Sequence, residues 1–178
     1  MKFTDARHYK KQIKDLYKSA FPRNERAPLS FLFHRTNNGR DFFYAVVDNG
    51  EFIGLVYIIA GEKFVYVFFL AVSEEKRGNG YGSKIIDEIK ALYPNRVIAL
   101  VIEDTTDKSA DNLEQRISRL KFYEANGFKQ LNIKVNEAGI VYELLGTEAT
   151  ITQADFLELM KNYFGAFLFK IIYRKMKY

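Results

Sequence analysis

Two rhythms of apolar and polar residues run along this chain. Phe64-Val65-Tyr66-Val67-Phe68-Phe69-Leu70-Ala71-Val72 is an unbroken apolar run of β-branched and aromatic types, the signature of a buried strand. Asp41–Val47 and Phe52–Ala60 also read as strands, and Asp48-Asn49-Gly50-Glu51 between them is a strong hairpin signal. Gly61-Glu62-Lys63 turns the chain into residues 64–72, so three antiparallel strands are expected in succession. Val97–Ile102 is a short apolar strand. Lys129–Val135 and Gly139–Leu145 close as a hairpin through Asn136-Glu137-Ala138.

The second rhythm is helical. Residues 5–20 carry Ile13, Leu16, Tyr17 and Ala20 on one side and lysines on the other, with Pro22 closing the helix. A loop-rich stretch, 21–28, leads to a short helix over Leu29–His34, and Asn37-Asn38-Gly39 breaks the chain again. Residues 82–92 have helical apolar spacing and end before Pro94. Asn112 is a helix N-cap, with Gln115 completing a capping-box pattern. Leu113, Ile117 and Leu120 form the expected stripe of this helix, 112–126. Gly127 supplies its left-handed stop, and Phe128 the apolar contact that accompanies one. Strand, helix and strand over 64–102 predict a right-handed crossover with 64–72 and 97–102 as parallel neighbours. The sum is a mixed α/β fold.

Between strand 64–72 and helix 82–92 stands Arg77-Gly78-Asn79-Gly80-Tyr81-Gly82-Ser83-Lys84. A strand, a glycine-rich turn and a helix start aim backbone N–H groups and a positive dipole end at one spot, an arrangement suited to phosphate. The P-loop pattern fails, because Ser83 rather than Lys follows Gly82. The dinucleotide fingerprint fails too, lacking its third glycine. The pattern R-x-x-G-x-G resembles the acyl-coenzyme A loop of the GCN5-related N-acetyltransferases, the GNAT superfamily. Phe122-Tyr123-x-x-x-Gly127-Phe128 resembles the ending of the helix that follows that loop in the same family. The order of elements over 1–146 is similar to the GNAT fold, which implies a largely antiparallel mixed sheet with a central parallel strand pair splayed at the cofactor site and helices on both faces.

That resemblance implies an acetyl-CoA-dependent enzyme. The main-chain amides of Gly78, Asn79, Gly80, Tyr81, Gly82 and Ser83 would hold the pyrophosphate, with Arg77 opening the motif. Leu70, Ala71 and Val72 would offer backbone groups to pantetheine, one N–H serving the oxyanion. Tyr123 would be the general acid, since a phenol of pKa about 10 stays protonated at neutral pH. Glu103, at the end of the strand, is the first candidate for general base, with Asp104, Glu25 or water as alternatives. Arg116 and Arg119 depart from the small or apolar residues usual there, and would either favour an anionic group on the acceptor or bind surface carboxylates. The acceptor is an unidentified amine of a small molecule or peptide. A coenzyme A-binding module without catalysis is the alternative.

Composition narrows the field. The chain has 178 residues, 48% hydrophobic and 28% charged, which is globular. Zero cysteines exclude disulfides and thiolate chemistry, and with His8 and His34 the only histidines no metal centre is expected. No apolar run reaches the ~18 residues needed to span a bilayer, and the N-terminus lacks a signal-peptide core. A cytoplasmic protein follows as the expectation. The net charge of +5 is spread without a dense run, so no nucleic acid partner is expected. Residues 147–178 lie outside the family pattern. There Thr152 caps a helix with Phe156, Leu157, Met160, Tyr163 and Phe164, and Gly165 is a break. Phe167–Lys177 runs from apolar to basic. This piece is expected to pack on the domain or form a homodimer contact, with a membrane-surface anchor as the alternative.

Overall fold

The computed structural model describes residues 1–137 and 139–173, in two compact units. The first comprises Met1–Ala60 with Val65–Asn95, and the second Gly61–Phe64 with the chain from Arg96 onward.

In the first unit, β1 (Lys2–Asp5), β2 (Asp41–Asp48), β3 (Glu51–Ala60) and β4 (Phe64–Val72) pair antiparallel in that order. The β2–β3 turn follows its sequence: Asn49 and Gly50 both have positive φ, 50° and 83°, as a two-residue hairpin of this handedness requires. The register of β3 against β4 slips between Tyr57 and Ile58, leaving Phe68 as an extra residue in β4. Such a bulge bends its strand and redirects the side chains beyond it. The predicted first helix is divided. Ala6–Tyr9 is a 3-10 turn and only Lys10–Ala20 is α-helical (α1), because the preceding residues pair with β2 as β1. Helix α2 spans Leu29–Arg35. Tyr17 on α1 binds this region together: its hydroxyl donates to the Ala27 carbonyl at 3.1 Å and its ring meets Phe69 edge-on at 5.0 Å. Helix α3 (Tyr81–Leu92) buries Ile85, Ile86 and Ile89.

In the second unit, β5 (Val97–Glu103) pairs antiparallel with β7 (Ile140–Gly146), which pairs in turn with β6 (Lys129–Glu137). Helix α4 (Leu113–Ala125) lies between β5 and β6 in sequence. Helix α5 (Gln153–Ile172) buries Phe156, Met160, Tyr163 and Phe169, and Gly165 kinks it with φ of 75°. Its cap is the predicted Thr152, completed by Asp155. Of the expected 136–138 turn, Asn136 and Glu137 both belong to β6 and Ala138 lies outside the described residues, as do the basic residues from Arg174 onward. No helix among the described residues is long and apolar enough to cross a membrane. The mixed α/β class holds.

Candidate active site

The sequence-predicted residues fall on two local structures, each described within its own unit. In the first, β4 delivers the chain to the glycine loop. Gly54 is the register partner of Val72, and its missing side chain lets the two strands approach closely. Leu70 and Val72 are half-buried and Ala71 is buried. A 3-10 turn, Glu74–Lys76, then leads to Arg77. Arg77 spends its polar groups locally: its amide donates to the Glu74 carbonyl at 3.1 Å and its Nε to the Val72 carbonyl at 3.1 Å. It ties the loop to the end of β4.

Beyond Arg77, the amides from Gly78 to Ser83 find no acceptor among the described residues. Gly80 is the N-cap of α3, and the first helical bond runs from the Lys84 N–H to the Gly80 carbonyl at 3.2 Å. The N–H groups of Gly80, Tyr81, Gly82 and Ser83 therefore have no intrahelical acceptor, and no side chain caps them. Gly78 and Gly80 are left-handed, with φ of 76° and 74°, and a β-carbon on either would meet nothing within 4 Å. Here glycine answers a backbone demand and leaves the surface beside the amides clear. Asn79 folds its side-chain amide back onto the carbonyls of Lys76 and Arg77, at 3.3 and 3.2 Å. Lys84, which the loop motif does not single out, brings its ammonium to 5.1 Å from the Tyr81 ring centroid. The Tyr81 hydroxyl donates to Asp48 at 3.0 Å. Exposed orphan amides, a helix N-terminus and a nearby cation fit a diphosphate.

In the second unit, Tyr123 sits at the end of α4 in a tightly determined place. The Phe128 N–H donates to the Tyr123 carbonyl and the Gly127 N–H to the Glu124 carbonyl, both at 3.0 Å. With Gly127 at φ of 81°, this is the Schellman stop. The Phe128 ring meets the Tyr123 ring edge-on at 5.6 Å. Tyr123 is only 8% exposed. Burial pushes its phenol up to about 12, against a smaller opposing pull from the Arg119 guanidinium. The hydroxyl is thus an undissociated proton donor throughout the neutral range.

Glu103 has many partners. Its carboxylate, 12% exposed, accepts from Arg116 at 3.0 Å, Arg119 at 3.1 Å and Asn112 Nδ2 at 3.1 and 3.3 Å. Arg116 also donates to Asn112 Oδ1 at 2.7 Å and to the Asp104 carbonyl at 2.9 Å. Asn112 is the N-cap by position, yet its side chain serves this network instead of the capping box expected with Gln115. Ile117 also departs from expectation. It is 37% exposed, because the inward side of α4 is taken by Arg116, Arg119, Leu120 and Tyr123.

Asp104 turns to a separate group, accepting from Lys134 Nζ at 2.7 Å and from the Thr106 amide and hydroxyl. Burial would raise its pKa, but these donors hold it below the usual carboxylate value. Glu25, the remaining carboxylate candidate, lies in a 3-10 turn of the first unit, and its amide donates to the Pro22 carbonyl at 3.1 Å.

Residues 10–128 match the acetyltransferase (GNAT) family model. The chain belongs to the GNAT family. Among curated relatives, the Bacillus subtilis (strain 168) protein YjbC, named as an acetyltransferase, is 28% identical over 109 residues. The match takes in 57% of this chain and 54% of YjbC, so the chain spans about half the length of that relative. A GNAT-family acetyltransferase of Bacteroides thetaiotaomicron shares the fold with a TM-score of 0.74 at 19% identity, over 95% of this chain and 98% of its own. An aminoglycoside 6′-N-acetyltransferase solved with coenzyme A gives a TM-score of 0.63 at 17% identity, over 82% and 96%. Arabidopsis thaliana Naa50, solved with the bisubstrate analogue CoA-Ac-MVNAL, gives 0.61 at 18% identity, over 82% and 96%. These likenesses are of the GNAT fold, whatever the acceptors of the individual proteins.

Proposed function

We propose that this GNAT protein is an N-acetyltransferase that passes the acetyl group of acetyl-CoA to a primary amine of a small molecule or peptide. The observation that carries the reading is the row of unclaimed amides from Gly80 to Ser83, opened by two left-handed glycines. Together with those of Gly78 and Asn79, these amides hold the pyrophosphate, while the backbone of Leu70, Ala71 and Val72 lines the pantetheine arm. When bound, acetyl-CoA supplies an activated thioester. A β4 amide faces the developing oxyanion. Tyr123 gives its proton to the departing sulfur. Its elevated pKa suits an acid that must arrive protonated, and the step is typically worth ~10²–10⁴ in rate.

Both oxygens of Glu103 are committed to cationic and amide donors. Acting as base would mean giving these up, so we assign it a holding role and leave the amine proton to solvent. The test is turnover of acetyl-CoA against a panel of amines, with Tyr123→Phe beside the wild type. The expected result is turnover by the wild type and a kcat lowered about 100-fold in Tyr123→Phe, with coenzyme A affinity changed less than about threefold. Coenzyme A binding with no amine acetylated would leave a binding module in place of an enzyme.

A further inference from the structure

Glu103, Arg116 and Arg119 put one negative and two positive charges at the side of α4, a surplus of one positive charge. A carboxylate only 12% exposed is a costly way to add stability, since desolvation consumes most of what a buried ion pair returns. Position is the more telling feature. Arg119 and Tyr123 are four residues apart on one helix, so their side chains share a face. Arg119 is held to Glu103 at 3.1 Å, yet is still 40% exposed.

We propose that Arg119, clamped by Glu103, is a positioning residue that sets the acidity of Tyr123. This rests on the reading of Tyr123 as the acid. Tyr123 lies in the last turn of α4, where the negative end of the helix dipole opposes a phenolate. Burial opposes it further, and the guanidinium acts the other way. The rings of Phe122 and Phe128 both meet the tyrosine ring. The neighbouring charges on that turn, Lys121 and Glu124, stand exposed to solvent. In the reaction, the amine nitrogen forms its bond to the acetyl carbon. The C–S bond breaks with its electron pair on sulfur, and Tyr123 protonates that sulfur. The phenolate so formed, one helical turn from Arg119, regains a proton equivalent to the one the acylated nitrogen sheds to solvent. Without the guanidinium, Tyr123 would be a still weaker acid and its phenolate would lose its nearest opposite charge on the helix.

The experiment places a fluorinated tyrosine at position 123 and follows its titration by 19F NMR in the free protein, without cofactor or amine. In Arg119→Gln the titration should move to higher pH, and Arg119→Lys should restore most of the difference. In the natural-tyrosine background, Arg119→Gln should lower kcat about tenfold with KM for acetyl-CoA within about twofold. An unmoved titration in folded Arg119→Gln would overturn the proposal, as would a loss confined to KM. Should Tyr123→Phe keep full turnover, the acid reading falls, while the titration still reports whether Arg119 governs the phenol.

Discussion

The main-chain oxygen of Ala71 lies 2.2 Å from where a β-carbon on Gly54 would stand. The obstacle is backbone, flanked by the Ala71 carbonyl carbon and the Val72 Cα, each at 3.2 Å, so no side chain can swing aside to make room. Gly54→Ala must push β4 away from β3 just before the glycine loop. Overpacking of this kind costs about 1–3 kcal/mol. We expect a lower urea midpoint and weaker coenzyme A binding by calorimetry. An unchanged midpoint would show that β4 yields without strain.

Gly80 poses the opposite situation. Its β-carbon would meet nothing within 4 Å, so only the left-handed backbone, φ of 74°, resists a side chain. For an ordinary residue that conformation costs about 1–2 kcal/mol, and asparagine visits it more readily than alanine does. Gly80→Asn should therefore bind coenzyme A more tightly than Gly80→Ala, with the wild type tightest. Thermal shift against coenzyme A concentration reads the order. Equal affinity in all three would mean that the loop geometry does not matter for the ligand.

How far the sequence foretold this protein depends on the range of the interactions. The strands from Asp41 to Val72, the two hairpin glycines and the Schellman stop at Gly127 were legible because each is decided within a few residues. β1 was not, since Lys2–Asp5 becomes a strand only by pairing with residues forty positions away. The same applies on α4. Helical spacing assigned Ile117 to the buried side, but Glu103 draws Arg116 and Arg119 inward and turns Ile117 out. Asn112 likewise leaves its cap role for the same carboxylate. The succession of strand, glycine turn and helix start around residues 77–83 could be read from one contiguous stretch. The surroundings of Tyr123 could not, because its charged neighbour on the helix is fixed by a strand end elsewhere in the chain.

Glu143 on β7 is a carboxylate 5% exposed whose Oε1 has no hydrogen-bond partner among the described residues. Burial raises its pKa, with the charge of Lys134 and the amides of Asn132 and Ile133 working against that shift. A carboxyl raised above its unfolded value favours the folded state at low pH, and that contribution is lost as pH rises through the folded pKa. Glu143→Gln keeps the shape and removes the buried charge. We expect it to raise stability at pH 8 by on the order of 1 kcal/mol and to narrow its lead as pH falls toward 5. Melting curves across that interval decide it. A variant less stable than wild type at pH 8 would show that the charge is needed where it lies.

At the start of α5 the sign reverses. The Thr152 hydroxyl accepts from the Asp155 amide at 3.2 Å, while the Asp155 carboxylate accepts from the Thr152 amide at 2.9 Å and from Lys63. Lys63 first, and then Thr152, hold Asp155 down at about 2, against 3.8 for the free side chain. A depressed carboxylate stabilises the fold above its unfolded pKa, and the effect disappears as pH falls from about 4 toward 2. Thr152→Ala should cost about 1 kcal/mol at pH 7, the usual worth of an N-cap. Asp155→Asn should also be destabilising at pH 7, and its deficit relative to wild type should shrink across that acid interval. Denaturant midpoints at pH 7, 4 and 2.5 test both. A deficit that stays constant from pH 4 to 2.5 would mean that the charge of Asp155 contributes nothing, leaving only its hydrogen bond to the helix start.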